Sequence, residues 1–104
     1  MSTQQDLDRF TLEFHRLAVP RLRHEPGLVE RALQTLGRWV MQRGAQADDL
    51  YSREWRELLA GDLQRLEQVV CSEGAHAATL RGTSPLGFVL TAQERLAVRR
   101  AVGL

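Results

Sequence analysis

Three histidines, His15, His24 and His76, and one cysteine, Cys71, are the residues of this chain best suited to chemistry. A metal site needs such ligands converging at set spacings. His15 and His24 stand nine residues apart, outside the i, i+4 register of a helical metal pair, and Cys71 has no Cys or His two to four residues away. No metal site is therefore expected. A Cys71–His76 nucleophile pair would need the two groups in contact and a third group to orient the base. Cys71 follows the apolar Val69-Val70 and the two residues straddle an expected helix start, so a buried structural thiol is the expectation. Gly82-Thr-Ser-Pro-Leu-Gly87 has neither the preceding strand nor the lysine of a phosphate-binding loop. No paired carboxylates stand in a cleft-like context. The expectation is a protein that is not an enzyme and uses no cofactor.

Arginine supplies all the basic charge: fourteen Arg and no Lys, for a net charge of +1. The guanidinium fork suits paired carboxylates and protein interfaces better than an ammonium does. Residues 1–47 hold seven Arg against five acids, residues 48–73 three against seven, and residues 74–104 four against one. The middle is acidic and the ends are basic. Affinity for nucleic acid comes from concentrated basic charge, which a nearly balanced chain lacks. A helix-turn-helix ending in the last helix is conceivable, yet the segment before that helix is long and apolar for that motif's short turn. Only Gln93 and arginines would be left to read bases.

These residues must be carried by helices. Leu7, Phe10, Phe14 and Leu17 recur at the spacing of one helical face, predicting a first helix from Thr3 to about His24 in which Pro20 imposes a bend. Glu25-Pro26-Gly27 breaks it, and Pro26 suits the first turn of a second helix that runs to about Arg43, with Gly44 as its stop. So short a turn predicts a helical hairpin. After a polar linker from Gly44 to Asp49, Tyr51, Trp55, Leu58 and Leu59 mark a third helix, and Leu63, Leu66, Val69 and Val70 continue the pattern past a split at Gly61-Asp62. Asp48, Asp49, Glu54 and Glu57 cluster near the third helix start, where the helix dipole favours negative charge. Ser72 is read as the cap of a short helix ending near Arg81, with Gly82 its stop. Thr91 and Glu94 have capping-box spacing for a last helix that turns Leu96, Ala97, Ala101 and Val102 inward and Arg95, Arg99 and Arg100 largely outward. No segment alternates as a strand would. The predicted fold is all-α: one domain over residues 1–104, with five or six short helices and an N-terminal helical hairpin.

Between the last two helices lies an apolar loop, residues 84–90, containing Leu86, Phe88, Val89 and Leu90. Loops ordinarily lie in water, so these side chains must be covered by the domain itself or by another protein. Trp39 and Trp55 add large apolar groups near helix ends, a residue type enriched in cores and interfaces alike. Read as a surface for a partner, the set is Ser84, Pro85, Leu86 and Phe88, with Trp55 as a third anchor and Arg81, Arg95 and Arg99 as rim charges for an acidic partner. Read as core, the same apolar residues belong to the domain's own interior.

An apolar fraction of 43% and a charged fraction of 26% are ordinary for a folded soluble chain of this length. No apolar run approaches the roughly 18 residues of a membrane span, and the polar N-terminus is not that of a signal peptide. A lone cysteine fits a reducing compartment, so a cytoplasmic location is expected.

The chain resembles a diffuse group of small helical bacterial proteins. The resemblance lies in Phe14-His15-Arg-Leu-Ala-Val-Pro-Arg-Leu-Arg-His-Glu-Pro-Gly-Leu-Val-Glu-Arg-Ala32 with Arg38-Trp39, in Glu54-Trp55-Arg-Glu-Leu-Leu59, and in Leu80-Arg-Gly-Thr-Ser-Pro-Leu-Gly-Phe-Val-Leu-Thr-Ala-Gln-Glu-Arg95. The group's pattern is Arg-x-x-Ser-Pro-Phe followed by Leu and a Glu-Arg pair; Leu86 stands here in place of that Phe, and Pro20 interrupts the first helix. The resemblance implies an accessory or antitoxin-like component paired with a second protein, such as a nucleotidyltransferase-like toxin; the expected mechanism is steric, the 84–90 loop and adjoining helices docking on the partner and covering its active site. A DNA-binding regulator using the last helix and a structural homodimer are the alternatives.

Overall fold

The computed structural model describes residues 3–43 and 50–104. Six helices account for 79% of them: α1 (Gln4–His24), α2 (Pro26–Arg43), α3 (Leu50–Ala60), α4 (Leu63–Val70), α5 (Ala75–Gly82) and α6 (Ala92–Ala101). There is no strand among the described residues. The all-α expectation holds, although α1 and α2, at 21 and 18 residues, are not short. A radius of gyration of 13.6 Å is close to the ~13 Å of a compact chain of about 100 residues.

Local chemistry sets most boundaries. Thr3 caps α1: its hydroxyl accepts from the Asp6 N–H while the Asp6 carboxylate accepts from the Thr3 N–H, both at 3.1 Å. Pro20 does not end α1, which continues to His24. Glu25 alone connects α1 to α2, and the two helices pack together. Asp62 separates α3 from α4, accepting from the Gln64 N–H at 2.9 Å. The expected cap of α5 is corrected: Ser72 instead donates its hydroxyl to the Val69 carbonyl, and α5 starts after Gly74. Gly74 has φ +116°, a conformation open to glycine and closed to most residues. Gly82 belongs to α5, with Thr83 following as its C-cap. The expected acidic first turn of α3 is absent from its described residues, since Glu54 and Glu57 lie further along the helix. Gly44, Asp48 and Asp49 lie outside the described residues.

Helix α1 is the hub, packing against α2, α4, α5 and α6. That central position overrides the predicted apolar face. Leu12, Phe14, His15, Ala18, Val19 and Leu22 are buried, while Leu7 and Leu17, expected inside, are exposed. On α6 only Val98 is buried within the helix and Val102 just after it; Leu96, Ala97 and Ala101 face outward, contrary to expectation. The core runs from Phe14, Val19 and Leu22 through Ala32, Leu36, Trp55, Leu59, Leu66 and Val70 to Leu80, Leu86 and Leu90.

Candidate functional site

The apolar loop folds inward. Leu86 and Trp55 are 0% exposed and Pro85 is fully buried. Each was a candidate partner-facing residue; each is core, with Leu86 and Trp55 in the same buried cluster as Phe14, Val19 and Leu80. A turn bond from the Val89 N–H to the Leu86 carbonyl, 3.0 Å, shapes the loop as it enters the core. The Trp55 indole N–H is satisfied inside by the Leu80 carbonyl at 2.9 Å.

Ser84 is half-buried and committed to a polar chain through the core. The Leu86 N–H donates to Ser84 Oγ at 3.1 Å, and Ser84 Oγ lies 2.7 Å from His15 Nε2. His15 Nδ1 lies 2.7 Å from the Thr11 carbonyl. A carbonyl only accepts, so Nδ1 carries the proton and Nε2 accepts from the serine hydroxyl. Serine, imidazole and an orienting acceptor also make up a hydrolytic arrangement. Here the ring is 3% exposed, between Phe14 and Trp55, with centroids 5.4 and 6.1 Å away. Burial, aided by the nearby Arg81 charge and opposed by the Thr11 bond, pulls its pKa down to about 4. So weak a base takes a serine proton poorly near neutral pH. The chain of bonds fastens the loop to α1.

Arg81, expected on the rim of an interface, is buried. Its Nη1 donates to the carbonyls of Val70 and Ser72 at 2.8 and 2.7 Å, and its Nε to Thr11 Oγ1 at 3.4 Å. It thus closes the C-terminal end of α4, where carbonyls lack helical partners. Burial lowers its pKa, countered in part by Cys71 and Asp8. Phe88 is half-buried with the Arg31 guanidinium 4.3 Å above its ring, a cation–π cover. Arg95 is exposed but engaged, donating to the Gly87 carbonyl and lying 5.4 Å over the Phe14 ring. Of the rim charges, Arg95 and Arg99 are both exposed and without an acidic partner among the described residues, and only Arg99 also makes no side-chain hydrogen bond or ring contact there.

The thiol and imidazoles do not converge. Cys71 is half-buried, and desolvation pushes its pKa up. His76 turns to Glu54, with both carboxylate oxygens 2.9 Å from Nε2. No group of three or more His, Cys, Asp or Glu side chains among the described residues could hold a metal ion. No helix of the described residues is long and apolar enough to cross a membrane.

The surface feature that the sequence patterning missed lies between α1 and α6. A groove of about 600 Å³ is lined by Leu12 and Leu17 of α1 and by Ala97, Val98, Ala101 and Val102 at the end of α6. Arg9, Glu13, Arg16 and Glu73 complete its walls. Leu17 is 48% exposed there, and Leu96 on α6 is 52% exposed. The ion pair that seats α6 also sets this groove: Arg21 of α1 grips both carboxylate oxygens of Glu94, the residue that caps α6 with Thr91. That contact holds the Glu94 carboxyl at about 2, mainly through the Arg21 bond and then the Thr91 backbone. The Thr91/Glu94 spacing marked the helix start correctly; the register of α6 against α1 was hidden because its apolar residues are mostly alanine. Comparison with protein-family models, with characterised proteins and with solved structures yields no match.

Proposed function

We propose that the chain is a non-catalytic helical interaction module and that a second protein docks in the α1–α6 groove. The observation that carries this reading is the groove itself, an open channel with apolar residues from both helices between charged walls and with Leu17 half in water. The interface moves from the 84–90 loop to this channel, since Pro85 and Leu86 are interior and the Arg31 guanidinium covers the half-buried Phe88 ring. The sequence resemblance favours an antitoxin-like component paired with a second protein, and steric cover of that partner is the form of docking we propose. Exposed Arg99 supports a second reading, in which α6 contacts duplex DNA.

The test is comparative capture from the native cell extract. Wild-type bait and Leu17→Asp bait are matched for helicity by circular dichroism, with light scattering on both. Retention of one stoichiometric protein by wild type alone supports docking in the groove. Equal retention by both baits, or none by either, overturns it. Salt-dependent binding to duplex DNA that Leu17→Asp leaves intact would favour the second reading.

A further inference from the structure

We infer that the outer face of α2 binds the phosphoryl group of a small phosphorylated molecule, in a hollow walled by Arg31, Arg38 and Phe88. The larger hollows of the molecule mix their charges. In the α1–α6 groove Arg9 and Arg16 share the lining with Glu13 and Glu73, and beside α3 and α4 Arg53 and Arg65 share it with Glu54, Glu57 and Asp62. The hollow on α2 differs. About 260 Å³ in volume, it is lined by Arg31, Gln34, Thr35, Arg38 and Phe88, two guanidiniums with no carboxylate. Helix α2 carries three arginines and one acid, Glu30, which lies about 100° around the helix from Arg31.

Helical geometry brings the two arginines together and leaves their donors free. Arg31 and Arg38 are two turns apart, about 10 Å along the axis, on one side of α2. Side chains lean towards a helix N-terminus, and Arg38 does so here, its Nη2 donating to Thr35 Oγ1 at 3.3 Å. The Thr35 hydroxyl in turn donates to the Arg31 carbonyl at 2.9 Å, so towards Arg38 it acts as acceptor. Arg31 is held by a ring instead. Its guanidinium carbon lies 4.3 Å from the centre of Phe88, which packs against the core, and that contact uses none of its N–H groups. Neither arginine has an acidic partner among the described residues, and the Arg31 side chain donates no hydrogen bond there.

Two positioned forks select the anion. A carboxylate presents two oxygens and is matched by one guanidinium, whereas a phosphoryl group presents three oxygens and up to two charges, and takes donors from two directions. The exposed Gln34 amide adds a neutral donor. The hollow is smaller than pockets that enclose a whole ligand, so it grips the phosphoryl group and leaves the rest of the molecule in water.

The probe is inorganic pyrophosphate, titrated into the isotope-labelled full chain and followed by backbone amide shifts, with sodium acetate and sodium chloride at matched ionic strength alongside. Saturable shifts are expected at Arg31, Gln34, Thr35, Arg38 and Phe88, with pyrophosphate bound at least about tenfold more tightly than acetate. Arg38→Gln, which leaves the Arg31–Phe88 contact in place, should weaken binding about tenfold. The double variant Arg31→Gln/Arg38→Gln should abolish it with the core amides unmoved, and Arg65→Gln on α4 should change nothing. No saturation, equal affinity for acetate, shifts spread equally to Arg99 and Arg100 of α6, or an Arg38→Gln variant that binds as wild type does overturns the site. A short DNA duplex is the last arm. If the duplex moves these amides and pyrophosphate does not, the patch is a nucleic-acid contact and the small-ligand site falls.

Discussion

Acidification should loosen this fold through one side chain before any carboxylate is affected. In the folded chain His15 is neutral, and protonating it would place a charge between Phe14 and Trp55 and break the bond that Ser84 donates to it. The unfolded chain protonates it at the ordinary value of 6.5, the folded chain only at about 4. Between those values the unfolded state holds more protons, so stability rises with pH in that window. The contribution is complete above about pH 6.5 and is lost as the pH falls towards 4. At ~1.36 kcal/mol per pH unit the gap between 6.5 and about 4 comes to about 3 kcal/mol, a large share of a small domain's stability. Urea unfolding followed by tryptophan fluorescence at steps from pH 8 to 4.5 measures it. The loss due to Glu94, whose folded pKa of about 2 lies below its ordinary 4.5, enters only as the pH falls below that ordinary value, so the two windows separate. A His15→Gln variant should be less stable at pH 8 and lack the slope. A flat wild-type profile from pH 7 to 4.5, or a His15→Gln profile with the same slope, refutes the reasoning.

Two further substitutions probe the buried loop and its clamp. Leu86→Ala should cost about 2–5 kcal/mol in the same urea assay, as loss of a fully buried leucine does, whereas an interface residue would show little change in stability. Arg81→Gln should cost about 2 kcal/mol by leaving the Val70 and Ser72 carbonyls short of a donor, with hydrogen exchange rising first at the end of α4.

Legibility in the sequence followed the range of the forces involved. Punctuation by Pro26, Asp62 and the Thr91/Glu94 pair acts within one turn, so three of the five helix junctions could be approached from local spacing. The start of α5 escaped because its determinant is the positive φ of Gly74 and not a hydroxyl cap. Periodicity placed Leu7 and Leu17 on an inward face because it assumes one buried stripe, whereas α1 is enclosed from several directions and shifts that arc. The burial of Trp55, Pro85, Leu86 and Arg81 was hidden for a related reason. Trp55 and Leu86 look the same in sequence whether an interior or a partner covers them, and Arg81 carries no mark of the carbonyls it closes. Long-range pairs such as His15–Ser84 and Arg21–Glu94 have no local signature at all.

Those long-range pairs explain why the groove and the core are one problem. The 83–91 segment leaves α5, buries Pro85 and Leu86 in the core, is fastened to α1 through Ser84 and His15, and emerges at Thr91. Glu94, three residues later, must meet Arg21 near the end of α1, which fixes where α6 begins. From that start, helical rise and twist carry Val98 and Val102 against α1 and leave Ala97 and Ala101 at the edge, facing Leu17 across an open channel. An apolar loop on the surface would have been a sticky patch without a defined shape. Burying it instead gives α6 a rigid anchor, so the exposed surface is a walled groove whose geometry is set by the core behind it.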